Sequence, residues 1–404
     1  MNAEQPPAAA AEETPADSRR PLVVVGGGFG GLYTALALAE RPHHPPVLLI
    51  EPRENFLFLP LLYELLSGEM RRWEIAPRYD TLLAGKGVAW LRDRVAAIDA
   101  QEQVVTTASG RRLPFARLVV ATGAGQDTFG VPGAEEHCLG FRSLEDVDRL
   151  QELLERLRRS DRPLQRLAVV GAGPTGVELA CKLADLAAGC AVIELIEQGP
   201  LALPRSPAFN REQAVLALQR RDVRLRTGTR VSRVEADRLL LAPTDTGGAA
   251  AAEPLPVNAA IWTAGLAFRP PAISPAPERD SRGRLVCEAD LRLKGSETIF
   301  VAGDLASTGE AAPAPTAQVA FQQAPVLAAN LLHSLAAEPL EAFDAVDRGE
   351  MLSLGEGEAA ITALGLTLAG PAAFQARRLA YLSRLPGRSF RWRVAMGWLT
   401  ELLG

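Results

Sequence analysis

Short runs of uninterrupted apolar residues alternate with helical stretches along this chain, and the first is Leu22–Val25, four residues without a polar face. A strand covered on both sides in a parallel sheet has that composition. A glycine cluster, Gly26–Gly31, comes next, then a helical stretch Leu32–Glu40, then a second apolar run Val47–Ile50 ending at Glu51. Together they predict a β-α-β unit. The pattern returns as strand Arg166–Val170, turn Gly171–Gly176, helix Val177–Leu186 and strand Ala191–Ile196, which ends at Glu197. Gly26 and Gly171 lie 145 positions apart (171 − 26), so this is a duplicated architecture and not a stacked repeat. Each unit is followed by a strand running into a small-residue turn, Arg117–Gly123 and Ala259–Gly265. Thr298–Asp304 is a further strand with a Gly-Asp end, and Ala317–Leu332 reads as a helix. Residues 340–370 alternate weakly and predict strands and turns; from Ala372 the chain is helical and arginine-rich. The expected fold class is α/β, with two Rossmann-like dinucleotide-binding domains and a C-terminal amphipathic, membrane-associating region.

Composition narrows the function. With 404 residues, 48% hydrophobic and 23% charged, the chain has room for two or three cored domains. Its net charge of −5 argues against a general nucleic-acid binder, which needs a basic surface. No apolar run approaches the roughly 18 residues of a membrane-spanning helix. Residues 1–20, rich in Ala, Pro and acid, lack the basic and apolar regions of a signal peptide and read as a disordered tail. Cys138, Cys181, Cys190 and Cys287 form no close pair, so disulfide-reductase chemistry lacks its reactive group, and buried structural thiols in a reducing compartment are expected. His43, His44, His137 and His333 show no metal-ligand spacing.

The two glycine turns carry the chemistry. In the first, Gly26 allows the tight strand-to-helix turn, Gly28 lets a pyrophosphate touch the backbone, and Gly31 lets helix and strand pack closely. Phe29 and Gly30 complete it, and Glu51, twenty positions past Gly31, stands where a carboxylate accepts ribose hydroxyls. The second turn, Gly171, Gly173, Pro174, Thr175 and Gly176, closes with Glu197 in the same way. A glutamate there favours NADH over the 2′-phosphate of NADPH, and Arg205 nearby in sequence could soften that preference. Two such folds in one chain suit a flavin and a nicotinamide exchanging hydride.

These motifs resemble the two-dinucleotide-domain flavoproteins, and within them the type II NAD(P)H:quinone oxidoreductases, from Pro21 to the C-terminus. The resemblance implies an FAD domain over 21–155 and 266–338, an NAD(P)H domain over 156–265 and a C-terminal region over 339–404. It implies FAD roles for Gly26, Gly28, Gly31, Glu51, Gly303 and Asp304, with Val95 and the Ala121-Thr122-Gly123 turn beside the flavin. NADH or NADPH would bind the second turn, Glu197 and Gly265. Ala317-Gln318-Val319-Ala320-Phe321-Gln322-Gln323 resembles the family's quinone-site helix. Gln318 and Gln322, four apart on one helical face, can bond quinone carbonyls; alternatively they form a polar face in solvent. Glu178 matches a family glutamate near nicotinamide and quinone, or is a first-turn glutamate favoured by the helix dipole.

Asn55–Glu69 and Trp73–Pro77 are similar to the cyanobacterial and plastid branch, whose members are associated with reducing demethylphylloquinone and related prenylated naphthoquinones. The family often has threonine where Leu59 stands. Between Pro371 and Thr400 the chain carries six arginines and no acid, interleaved with Phe374, Tyr381, Phe390, Trp392, Met396 and Trp398. Basic aromatic helices of this kind lie in the interface of anionic membranes; the alternative is a helical lid on the protein's own core. The expected partners are therefore a membrane quinone, an anionic membrane surface and a second copy in a homodimer, with no nucleic acid. The expected location is peripheral, on the cytoplasmic face of a thylakoid or plasma membrane. Rival readings are a sulfide:quinone oxidoreductase, which needs cysteines beside its flavin, and a flavin-binding sensor without turnover.

Overall fold

A computed structural model describes residues 20–160, 165–244, 252–309 and 312–403. The tail expected over residues 1–20 falls, up to residue 19, outside the described residues. The chain folds as two compact units, each assembled from three separated segments.

The first unit takes the described residues up to Glu54, then Leu83–Gly123 and Pro270–Ala345. Its sheet orders Ile299–Val301, Arg117–Val120, Leu22–Val25, Val47–Ile50 and Val88–Leu91, all parallel. Strands covered on both faces must be apolar throughout, and Val23, Val24, Leu49, Leu118, Val119 and Phe300 are fully buried. Helices Phe29–Ala39 and Ala317–Leu335 pack against each other. A second, mixed layer orders Ala272–Ser274, Val95–Asp99, Val104–Thr107 and Arg112–Pro114.

The second unit takes Asn55–Leu82, Ala124–Arg269 and Val346–Gly404. Its parallel sheet orders Arg224–Arg226, Ala191–Ile196, Gln165–Val170, Ala259–Trp262 and Cys138–Leu139. Ala168, Val170, Ile196 and Trp262 pack with Val231, Leu239, Leu241 and Leu255, which come from an antiparallel three-stranded sheet, in one apolar cluster. The C-terminal segment adds strands Glu350–Ser353, Ala359–Ala363 and Leu366–Gly370, then helices Pro371–Arg384 and Arg388–Leu403. The compact units divide the chain at other points than the motif boundaries do, because residues 55–82 and 346–404 both cluster with the second glycine turn.

Candidate active site

The first turn explains each glycine by what surrounds it. Gly26 has φ +98°, and a Cβ there would lie 2.5 Å from the Ala121 carbonyl oxygen. A Cβ on Gly31 would lie 1.8 Å from the Gly26 oxygen. Gly28, the middle glycine, has nothing within 4 Å, so the turn is open to a ligand at that point and closed at the other two. Gly30 packs on Ala302, with Gly303 beside it. The Phe29 helix therefore begins inside the glycine cluster and not at Leu32 as the pattern predicted. Glycines that propensity counts against a helix are here selected by close packing.

Glu51 closes this turn. It is 3% exposed, and its Oε2 accepts the Gly27 N–H at 2.7 Å while Oε1 accepts the Arg53 N–H at 3.0 Å and Nε at 2.7 Å. Burial alone pushes this carboxyl up, but the Arg53 guanidinium and two backbone donors outweigh it and hold the group below the usual range. Gly303, at φ +71°, donates its N–H to Gln323 Oε1 at 2.6 Å, and Asp304 follows in a short 3-10 turn, Gly303–Leu305. Thr122 lies against Gly26 and Gly123 has φ +64°. Val95 begins a strand of the second layer of the same unit, paired with Thr107.

The second turn repeats these dimensions. Gly171 has φ +102°, and a Cβ there would meet the Ala264 side chain at 2.9 Å. A Cβ on Gly176 would lie 1.8 Å from the Gly171 oxygen, and Gly173 again has nothing within 4 Å. Pro174 occupies the first helical turn, Thr175 follows, and Gly173 caps the helix Pro174–Ala187. Glu197 Oε2 accepts the Ala172 N–H at 2.8 Å and Oε1 the Gly199 N–H at 2.7 Å. Glu51 is thus paired with Arg53, and Glu197 is held by backbone donors.

Glu178 lies on the Pro174 helix in a buried polar cluster of the second unit. It is 7% exposed; its Oε1 accepts the Ser353 N–H at 2.7 Å and lies 3.5 Å from Arg377 Nη2. Arg377, 1% exposed, also pairs with Glu64 through Nη1, donates from Nη2 to the Pro60 carbonyl at 2.7 Å, and stacks 4.8 Å over the Tyr381 ring. Tyr63 hydrogen-bonds Thr175 and Glu178. Burial raises the Glu178 carboxyl to about 7 despite the Arg377 charge, and burial also pushes the Tyr63 hydroxyl well above its ordinary value. Burial opposes the charge on Arg377, but the neighbouring Glu64, Tyr381 and Glu178 together outweigh it and hold the guanidinium protonated. Glu64 Oε2, Ser353 Oγ and Arg377 Nε have no hydrogen-bond partner among the described residues.

The sequence reading missed Arg377 and Glu64. Arg377 was grouped with five other tail arginines, yet it stands three after Phe374 and four before Tyr381, both buried, so it belongs to the inward helical face. Glu64 is a lone acid in the apolar run Leu61–Leu66. Both signals were legible.

Gln318 and Gln322 are half-buried in the first unit, one turn apart, with Gln322 Nε2 donating to the Gln318 carbonyl at 3.3 Å. Glu178 belongs to the second unit. In the tail helices Phe374, Tyr381, Leu385, Phe390, Val394 and Trp398 are buried on their own unit, as the helical-lid alternative expects, while Trp392 is 72% exposed, Met396 53% and Leu399 50%. Cys181 and Cys287 are buried as expected; Cys138 and Cys190 are only half-buried, because each stands at a strand or turn boundary. Burial pushes the thiols of Cys138, Cys181 and Cys287 up to about 12.

Two parallel sheets, each ending in a glycine cradle closed by a glutamate, define a protein built for two dinucleotides. The model of the pyridine nucleotide-disulphide oxidoreductase family matches residues 20–324. The chain is 39% identical over 392 residues to demethylphylloquinone reductase NdbB of Synechocystis sp., covering 94% of this chain and 96% of that one. It is 36% identical over 417 residues to the alternative NAD(P)H-ubiquinone oxidoreductase C1 of Arabidopsis thaliana, covering 93% and 80%. The structure of NDH2 from Plasmodium falciparum in complex with NADH shares the fold, with TM-score 0.82 at 18% identity over 94% of this chain and 98% of that one. The chain belongs to the pyridine nucleotide-disulphide oxidoreductase family, among the type II NAD(P)H:quinone oxidoreductases.

Proposed function

We propose that the chain passes reducing equivalents from NAD(P)H through FAD to a membrane quinone, in the net reaction NAD(P)H + H⁺ + quinone → NAD(P)⁺ + hydroquinone. The observation that carries this is the pair of glycine cradles, each closed at its first and last glycine and open at its middle one. Gly26, Gly28, Gly31, Glu51 and the Gly303-Asp304 turn would hold FAD, which supplies reversible hydride uptake when bound. Gly171, Gly173, Gly176 and Glu197 would hold NAD(P)H. The prenylated naphthoquinone reduced by the Synechocystis relative, demethylphylloquinone, is the favoured acceptor class.

The reaction takes one proton from the medium, and Glu178, with its carboxyl raised to about 7, can hold one at neutral pH. Gln318 and Gln322 present amides on one face of the Ala317 helix and would bond the quinone carbonyls. The exposed Trp392, Met396 and Leu399, with the surrounding arginines, would rest on the anionic cytoplasmic face of the membrane. No helix among the described residues is long and apolar enough to cross it. Sulfide oxidation is disfavoured because burial keeps three of the four thiols protonated.

Stopped-flow half-reactions test the proposal. Flavin in the holoenzyme should be reduced by NADH and reoxidised by a menaquinone analogue, and Gln318→Leu should slow the second step about tenfold or more, as loss of a buried hydrogen bond implies. Equal slowing of both steps would remove Gln318 from the quinone site.

A further inference from the structure

Phe129 is an anomaly that the turn motifs leave unexplained. Its backbone adopts φ +52°, a left-handed conformation costly for a bulky residue. Its ring is 62% exposed. The segment is nonetheless firmly held. Gly125–Gln126 pairs antiparallel with Leu266–Ala267, Asp127 Oδ1 accepts the Phe129 N–H at 2.8 Å, and the Asp127 carbonyl accepts Trp262 Nε1 at 2.9 Å. The ring therefore does not hang from a frayed loop.

What it rests on is Gly265. A Cβ there would lie 2.7 Å from Phe129 Cζ and 2.8 Å from Cε2, so ring and backbone are in direct contact. Gly265 follows strand Ala259–Trp262, and its neighbour Ala264 packs on Gly171, the first glycine of the second turn. In this sheet the chain moves outward from Gln165–Val170 to Ala191–Ile196 and Arg224–Arg226 on one side, while Ala259–Trp262 lies on the other. The order reverses between Val170 and Trp262, and parallel sheets bind ligands at the carboxyl ends of strands that flank such a reversal. Phe129 stands at that crevice with an uncovered apolar face.

We infer that Phe129 is a wall of the pyridine-nucleotide site and contacts the nicotinamide half of the bound dinucleotide. Glu197, one strand further out, marks the adenosine half, so the far end of the crevice takes the flat nicotinamide ring, whose face suits an aromatic surface. The inference rests on the reading of the second turn as the NAD(P)H site. A strained, exposed phenylalanine costs the free protein stability, and burial of its face on the ligand offsets that cost on binding.

The test is equilibrium titration of the FAD-loaded protein with NAD⁺ and with ADP-ribose, which lacks nicotinamide. Phe129→Ala should weaken NAD⁺ binding about tenfold and ADP-ribose binding less than threefold, while Phe129→Tyr stays near wild type. FAD content and Tm should hold. If the alanine variant loses FAD, Phe129→Asn, whose side chain suits the left-handed backbone, should fold and show the same selective loss. NAD⁺ affinity within twofold of wild type in either variant would overturn the inference, as would equal loss of both ligands. Wild-type protein that binds neither ligand would overturn the reading of the second turn itself.

Discussion

Glu178 and Arg377 sit in one buried cluster and respond to it in opposite ways. Arg377 stays charged because two carboxylates face it, whereas burial, helped by the neighbouring Glu64, pushes Glu178 from its ordinary 4.5 up to about 7. Below about pH 4.5 the folded and unfolded states both carry the proton. Between 4.5 and 7 only the folded state keeps it, and above 7 the folded state must ionise in a buried place. Stability from this group is therefore present in acid and lost as pH rises through 7. Glu178→Gln keeps an acceptor for the Ser353 N–H but does not titrate. Urea unfolding should show the variant gaining on wild type from pH 5 to pH 8, by on the order of 3 kcal/mol at most. A difference that does not change with pH would contradict the burial argument. At the carboxylate that closes the second turn, Glu197→Ala should raise the kcat/KM for NADPH relative to NADH severalfold; an unchanged ratio would separate Glu197 from the ribose. Glu51 and Glu197 were legible because a strand length and a turn fix where they fall. Arg377 and Glu64 were not assigned together, because 313 positions separate them and only the packed fold brings them into contact.

Among the elements, the strands Leu22–Val25 and Val47–Ile50 were fully written in apolar runs bounded by glycine or acid. The weaker alternation over 340–370 resolved into three antiparallel strands beginning only at Glu350. Half-exposed strands carry mixed residues, so their pattern is faint. The Ala317 helix shows how one motif serves two purposes. Gln318 and Gln322 lie on a half-buried face, but Gln323, next in the same run, is 2% exposed and accepts the N–H of Gly303. It fixes the Gly-Asp turn from beneath, a role that spacing did not reveal. Gln323→Leu leaves a buried N–H without its acceptor, at about 1–3 kcal/mol. The variant should purify with less FAD per chain and a lower Tm, and full FAD occupancy would show that the turn holds its shape without Gln323.

For the molecule as a whole, charge is unevenly distributed. The net charge is −5, yet residues 371–400 contribute +6, which leaves −11 for the remainder (−5 − 6). Removing the tail would be a poor test of membrane attachment, because Ala373, Phe374, Arg377, Leu385 and Val394 are core residues of the second unit. Trp392→Asp with Met396→Asp changes only exposed positions. The double variant should no longer sediment with vesicles containing phosphatidylglycerol, while keeping wild-type turnover with a short-chain, water-soluble quinone. Continued sedimentation would exclude this face as the anchor. Wild-type binding should also weaken as salt is raised.

The division of the chain into three segments per unit matters most while the protein is being made. The polypeptide passes between the units five times, after positions 54, 82, 123, 269 and 345. On the ribosome the sheet of the first unit lacks its edge strand until Ile299–Val301 has emerged. The cluster around Glu178 stays open until Ser353 and Arg377 follow. At roughly 5–20 residues per second, both apolar cores wait on the order of a minute for their last segments. No single cut separates the units either, so exchanging one of them with a relative means exchanging three pieces of chain at once.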